Sequence, residues 1–144
     1  MKKTIYFFLV LSGILIITCT TPNKEAKEYP LQGAWELTYL KWVYPDSTYE
    51  ITQFANPMVK LLTKKHWANG GQSGENKIMG GGGEYTYDGN TYTEHIKYHA
   101  QSNFVGKSVE FKSSLEGDLW KISTVTKLDS IQVEGMETWK RIIE

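Results

Sequence analysis

The chain has 144 residues, with 16 basic and 16 acidic side chains and a formal net charge of zero. That balance, with no basic patch interleaved with aromatics, argues against a nucleic-acid partner, and the single cysteine, Cys19, excludes an internal disulfide. Nineteen aromatics (nine Tyr, five Trp, five Phe) and 13 glycines favour strands and turns over helices.

Residues 1–19 read as a targeting segment. Lys2 and Lys3 form a basic start, and residues 5–17 are almost wholly apolar. That stretch is shorter than the roughly 20 residues a membrane span needs. It ends in Ile16-Ile17-Thr18-Cys19, which resembles the bacterial lipoprotein cleavage box. The resemblance implies that Cys19 becomes the first mature residue and carries lipid. Lipid there would hold the protein to a membrane surface of the cell envelope, at the outer membrane or its periplasmic face, without a spanning helix. The alternatives are an uncleaved N-terminal anchor, or a free thiol after ordinary cleavage.

Residues 20–30 are polar, contain Pro22, Asn23 and Pro30, and read as a flexible tether. Residues 31–144 then form one domain. Removing Lys2 and Lys3 from the 16 basic residues leaves 14 against 16 acidic, so the exported part is slightly acidic.

The domain reads as strands throughout. Residues 34–44 alternate, with Trp35, Leu37, Tyr39 and Val43 on one face. Pro45-Asp46-Ser47 turns the chain into a short return strand at 48–52. Residues 53–57 are irregular, with room for one helical turn. Residues 58–69 read as one long strand, with Val59, Leu61, Thr63 and Trp67 on one face and Met58, Lys60, Leu62, Lys64 and His66 on the other. A helix competes over 57–66, because Met, Leu and Lys favour helices. Residues 70–76 read as a loop. After the hairpin described next, residues 100–104 connect to strands at 105–112 and 119–126, and at 131–143 with a bend at Gly135.

Gly80–His99, GGGGEYTYDGNTYTEHIKYH, is the most informative stretch. Asp88-Gly89 and Gly89-Asn90 both suit a two-residue hairpin turn, and either choice preserves which side chains share a face. One face holds Tyr85, Tyr87, Tyr92, Glu94, Ile96 and Tyr98, and is expected to point inward. The other holds Glu84, Thr86, Thr93, His95, Lys97 and His99, and meets water. Glu94 among tyrosines needs hydrogen bonds or solvent. It is either a polar anchor inside a ligand cavity or a solvated or Tyr-bonded carboxylate near a barrel mouth. Gly80–Gly83 permits a bulge, a bend or a close backbone approach.

About eight strands at regular spacing make an all-β pattern. Gly33-Ala34-Trp35 near the start and Glu137-Thr138-Trp139-Lys140-Arg141 near the end resemble the lipocalin-like (calycin) barrels. The resemblance implies that Trp35 closes the barrel base and that Arg141 packs across it. A Trp ring and a guanidinium suit that contact, because the cation can stack on the ring face. The domain also resembles small lipocalin-like lipoproteins of Bacteroidetes-type bacteria, a family of uncharacterised function. Residues 59–67, 82–87, 89–96 and 137–141 carry that likeness. It implies an eight-stranded antiparallel up-and-down barrel, which either fills itself with side chains or holds one small ligand.

Candidate ligand contacts are Tyr85, Tyr92, Tyr98 and Trp67, with Glu94 or Lys60 as the polar partner. For each aromatic, core packing is the competing role. No metal is expected. His66 and His95 lack a ligand motif, and His95 and His99 lie about 13 Å apart along one strand face. No cofactor and no catalytic set is expected: Glu94 and His95 are adjacent and face opposite ways, and no nucleophile elbow occurs. The leading expectation is a membrane-anchored binding lipoprotein for a small apolar or amphipathic ligand. The alternatives are a filled barrel that binds an envelope protein or glycan, marked by exposed aromatics around Trp42, Tyr44 or Trp67, or an enzyme using Glu94 and a histidine from another strand.

Overall fold

The computed structural model describes residues 29–73, 77–128 and 130–143. The targeting segment with Cys19, the tether up to residue 28, residues 74–76 of the expected loop and Asp129 lie outside the described residues. Among the described residues, nine antiparallel strands follow one another: β1 Gly33–Val43, β2 Thr48–Ile51, β3 Met58–Leu62, β4 His66–Ser73, β5 Lys77–Tyr87, β6 Thr91–His99, β7 Ser108–Glu116, β8 Leu119–Leu128 and β9 Ile131–Arg141. A 3-10 turn, Ser102–Phe104, interrupts the β6–β7 connection.

The sheet runs β2-β1-β3-β4-β5-β6-β7-β8-β9 and closes through β1–β9 pairing. Eight strands, β1 and β3 to β9, therefore make the barrel, and β2 is an addition. The lower half of β1 pairs with β3, from Gly33↔Leu62 to Glu36↔Val59. Its upper half pairs with β2 instead, from Leu40↔Ile51 to Val43↔Thr48. β2 thus raises the wall at one end of the barrel.

The expected strand over 58–69 is two strands. β3 ends at Leu62, and Thr63 Oγ1 accepts hydrogen bonds from the backbone of Lys65 and His66. That side-chain turn reverses the chain, which no Gly or Pro announces. The competing helix does not form. The expected loop at 70–76 is in part strand, since β4 runs to Ser73. The short return strand is present as β2, no helical turn forms at 53–57, and β9 runs through Gly135 to Arg141.

Two bulges decide which side chains enter the barrel. In β1 the register with β9 shifts between Leu37 and Tyr39, leaving Thr38 unpaired. Trp35 and Leu37 point inward, but beyond the bulge Leu40 and Trp42 take over, and Tyr39 turns outward to donate to Glu50 Oε1 at 2.8 Å. The expectation that Tyr39 and Val43 share a face with Trp35 and Leu37 is corrected by that one extra residue. In the hairpin the loop is Gly89-Asn90, and Asp88 Oδ1 accepts the backbone N–H of both Asn90 and Thr91. Those bonds hold the Asp88 carboxyl below its ordinary pKa. Tyr85, Tyr92, Glu94 and Ile96 are buried as expected. The second bulge lies between Gly82 and Gly83, where Lys97 is skipped. Beyond it Tyr98 lies on the outer face, 57% exposed, and His99 turns inward.

Glycine is required at this bulge because a Cβ on Gly83 would collide with the backbone carbonyl of His95. Backbone cannot yield as a flexible side chain can. Gly83→Ala is therefore expected to cost about 1–3 kcal/mol, the usual range for overpacking. Urea unfolding would read this as a lower midpoint with an unchanged slope.

The interior is layered. At the base, Trp35 is fully buried and its indole Nε1 donates to Leu31 O at 2.8 Å. The Arg141 guanidinium lies 4.0 Å from the centroid of the Trp35 ring. This follows from register, since Trp35 and Arg141 are direct cross-strand partners. Arg141 also donates to Gln32 O at 2.9 Å and Pro30 O at 2.7 Å, which draws the segment before β1 across the barrel end. Trp120 packs on Trp35 with centroids 5.5 Å apart, and Tyr92 meets Trp120 edge-on at 4.9 Å. The lower half is thus filled by rings.

Candidate functional site

Above the aromatic base lies a buried charged layer. Lys60 is on the inward parity of β3, between Met58 and Leu62, and is 2% exposed. Its Nζ lies 2.8 Å from Glu94 Oε1 and 3.9 Å from Glu137 Oε2. It also sits 4.6 Å from the ring centroid of Trp139 and 5.4 to 5.5 Å from those of Trp120, Trp67 and Tyr92. Two carboxylates and four ring faces replace the water an ammonium group would otherwise need.

Glu94 comes from β6 and accepts a second bond at the same oxygen, from Tyr92 OH at 3.0 Å. Glu137 comes from β9, whose inward residues include Val133, Gly135 and Trp139. Its Oε2 accepts the Trp139 indole N–H at 2.7 Å. Each carboxylate therefore commits one oxygen to the protein. Among the described residues, Glu94 Oε2 and Glu137 Oε1 make no hydrogen bond, yet no buried side-chain oxygen lacks a partner. Both free oxygens are open, and the space beside them is a cavity.

That cavity has a volume of about 720 Å³ and occupies the upper half of the barrel. Glu94, Glu137, Trp67 and Trp139 line its floor, while Leu40, Trp42, Phe54, Met58 and Phe104 belong to its walls. Tyr49 and Ile51 of β2 extend the wall at the mouth. Among the described residues, neither Lys nor Arg is in the lining: Lys60 is behind the two carboxylates, packed into the rings.

Charge and burial set the protonation of this layer. Burial is the main cause pushing Glu137 above the ordinary carboxyl value of 4.5, and the neighbouring Glu94 adds to it. Lys60 and the Trp139 hydrogen bond act the other way but do not cancel it. Burial also raises Tyr92 well above the usual phenol, with Glu94 beside it contributing, and burial raises Tyr85. A carboxyl whose pKa is higher folded than unfolded stabilises most below the unfolded value, here 4.5, and that contribution is lost as pH rises through the folded value. Glu137→Gln removes this dependence. Relative to the parent, the variant is expected to gain stability as pH rises from 4.5, which urea unfolding across that window would measure.

The structure sorts the expected ligand contacts. Trp67 and Glu94 line the cavity. Lys60 is next to them but covered. Tyr85 and Tyr92 lie below, outside the lining; Tyr85 donates to Thr63 O at 2.8 Å and packs on Tyr92 at 5.4 Å. Tyr98 is on the outer face, a correction forced by the β6 bulge. Glu94 is buried, bonded to Lys60 and to the Tyr92 hydroxyl, and lines the cavity. Glu137 is absent from the residues expected at the site, although its parity with Trp139 and Val133 carries the same signal that marks Glu94.

Of the histidines, His95 faces Ser108 Oγ at 2.8 Å, His66 lies 4.0 Å from Glu84 on the surface, and His99 packs on Phe104 near the cavity rim. Glu94 is engaged by Lys60 and Tyr92, with no histidine hydrogen-bonded to it among the described residues. No group of three His, Cys, Asp or Glu among the described residues is placed to hold a metal ion.

A closed eight-stranded antiparallel barrel with a Trp–Arg base and an open cavity is lipocalin-like. The solved structure of a lipocalin-like protein from Bacteroides uniformis ATCC 8492 superposes with a TM-score of 0.51 at 11% identity, covering 78% of this chain and 98% of that one. This likeness establishes the fold. The chain belongs to a family described as a domain of unknown function (DUF4488), whose model matches residues 30–144. No curated protein matches the chain.

Proposed function

We propose that this protein is a non-catalytic binding lipoprotein, which takes a small amphipathic ligand into the upper half of its barrel. The observation that carries this reading is the cavity of about 720 Å³, whose walls mix apolar side chains such as Leu40, Met58 and Phe54 with Asn, Gln and His99, and whose floor holds two carboxylates. That size, and aromatic and aliphatic side chains beside polar ones, suit a single small amphipathic molecule. A filled barrel presenting only its surface is less well supported: the rings fill the base and leave the upper half open, and Trp42 and Trp67 line the cavity. Lipid on Cys19 would hold the barrel at the cell envelope, with residues 20–28 as the tether, since Tyr29 and Pro30 are held to the barrel by Lys64 and Arg141.

Native mass spectrometry of the purified protein, followed by lipid extraction, tests the binding reading. A small molecule that leaves on denaturation is the expected result. An empty protein that also fails to take up apolar fluorescent probes would overturn it. Labelling with a fatty-acid analogue, present in the parent and lost in Cys19→Ala, tests the anchor.

A further inference from the structure

We infer that the cavity selects an amphipathic amine, with its ammonium head seated between Glu94 and Glu137 and its apolar body against the walls. This rests on the binding reading above and narrows it to one chemical class.

The charges that a ligand meets decide the class. The lining contains two carboxylates and, among the described residues, no Lys or Arg; its one histidine, His99, packs on Phe104 near the rim, away from the floor. The nearest cation, Lys60, is 2% exposed, and its ammonium group is already committed to Glu94 and to four ring faces. A carboxylate or phosphate head would therefore reach the floor opposite like charge, with no cation to receive it. An ammonium head meets the reverse. Glu94 Oε2 and Glu137 Oε1 are the two open oxygens, and an ammonium group carries several donors that suit them.

The balance of charge points the same way. Lys60 offsets one carboxylate through the 2.8 Å contact with Glu94, while Glu137, at 3.9 Å, is compensated less closely. The floor is one positive charge short when both carboxyls are ionised. A ligand cation completes the set, whereas an anion would leave two more negative charges than positive ones around a single lysine.

Octylamine, octanol and octanoate test this on the full chain in lipid nanodiscs, with empty nanodiscs as the blank, by isothermal titration calorimetry. The three probes share a tail and differ only in the head. Octylamine is expected to bind about tenfold or more tighter than octanol, as a charge-assisted hydrogen bond requires, and octanoate weakest. Glu137→Gln keeps the shape and an acceptor for the Trp139 N–H. It is expected to weaken octylamine by about tenfold and octanol by far less, so retained octanol binding also reports that the variant's cavity is intact.

Equal affinity for amine and alcohol, tighter binding of octanoate, or an octylamine affinity unaltered by Glu137→Gln would each overturn the amine assignment while leaving the cavity reading in place. Failure of all three probes to bind would overturn both.

Discussion

Lys60→Met is expected to cost about 3–5 kcal/mol, the usual consequence of removing one partner from a buried ion pair. Methionine fills the space of the lysine stem, so packing is not the main loss. The loss is electrostatic: Glu94, 7% exposed, would keep its Tyr92 bond but have no counter-charge, and Glu137 beside it would add repulsion. In Lys60→Met combined with Glu94→Gln, the Glu94 charge and its repulsion with Glu137 are gone, although Glu137 keeps no counter-charge, and the amide oxygen that replaces the Glu94 carboxylate still accepts from Tyr92. The double variant is therefore expected to be more stable than Lys60→Met alone. Urea unfolding of the parent, the two single variants and the double variant forms a cycle that isolates the pair. A double variant no more stable than Lys60→Met would show that the lysine acts through packing and ring contacts instead.

Trp35→Ala is expected to be as costly, about 3–5 kcal/mol, the range for removing a large ring from a packed core. Trp35 is fully buried, lies under Arg141, packs on Trp120 and donates to Leu31. Its removal opens a void at the base that none of these groups can fill without moving backbone. Arg141→Lys separates the roles of charge and shape. Lysine keeps the cation but cannot reach both Pro30 O and Gln32 O with a planar fork. A loss of about 1.5–3 kcal/mol, as for hydrogen bonds from a charged group, is expected. Exchange of the Gly33 and Ala34 amides should quicken in Arg141→Lys if the fork holds the start of β1. Rates equal to the parent would confine Arg141 to its contacts with the Trp35 ring and Asp118.

Both effects arise in residues that the sequence makes conspicuous. Trp35 and Arg141 stand out because a Gly-x-Trp near the start and an Arg in the last strand form a recognisable pair, and β1–β9 closure makes them direct partners. Lys60 and Glu94 stand out because alternation puts charged side chains on apolar faces. Glu137 carries the same mark, but the Trp and Arg that follow it give the stronger signal and hide it. Simple alternation assigns Tyr39 and Tyr98 to the inner face, and a bulge moves each of them out. The expected strand count of eight matches the barrel, although its members differ: one long segment is β3 and β4, and β2 stands outside the closed set.

Local chemistry thus determines the strand-rich character, the hairpin and its Gly89-Asn90 region, the aromatic interior and the identity of the base-closing pair. These depend on period-two alternation and on side-chain type, which a linear sequence records directly. Closure decides the rest. A barrel must curve and stagger its strands, and bulges at Thr38 and Lys97 take up that curvature. A bulge is one residue long and reverses every facing beyond it, so no composition or period reveals its position. Only the closed barrel brings β3, β6 and β9 round to one another, sets Lys60 behind Glu94 and Glu137, and leaves their free oxygens on the cavity side. The sign of the charge a ligand meets there is a property of that closure, because it depends on which of three mutually distant charged residues lies in front.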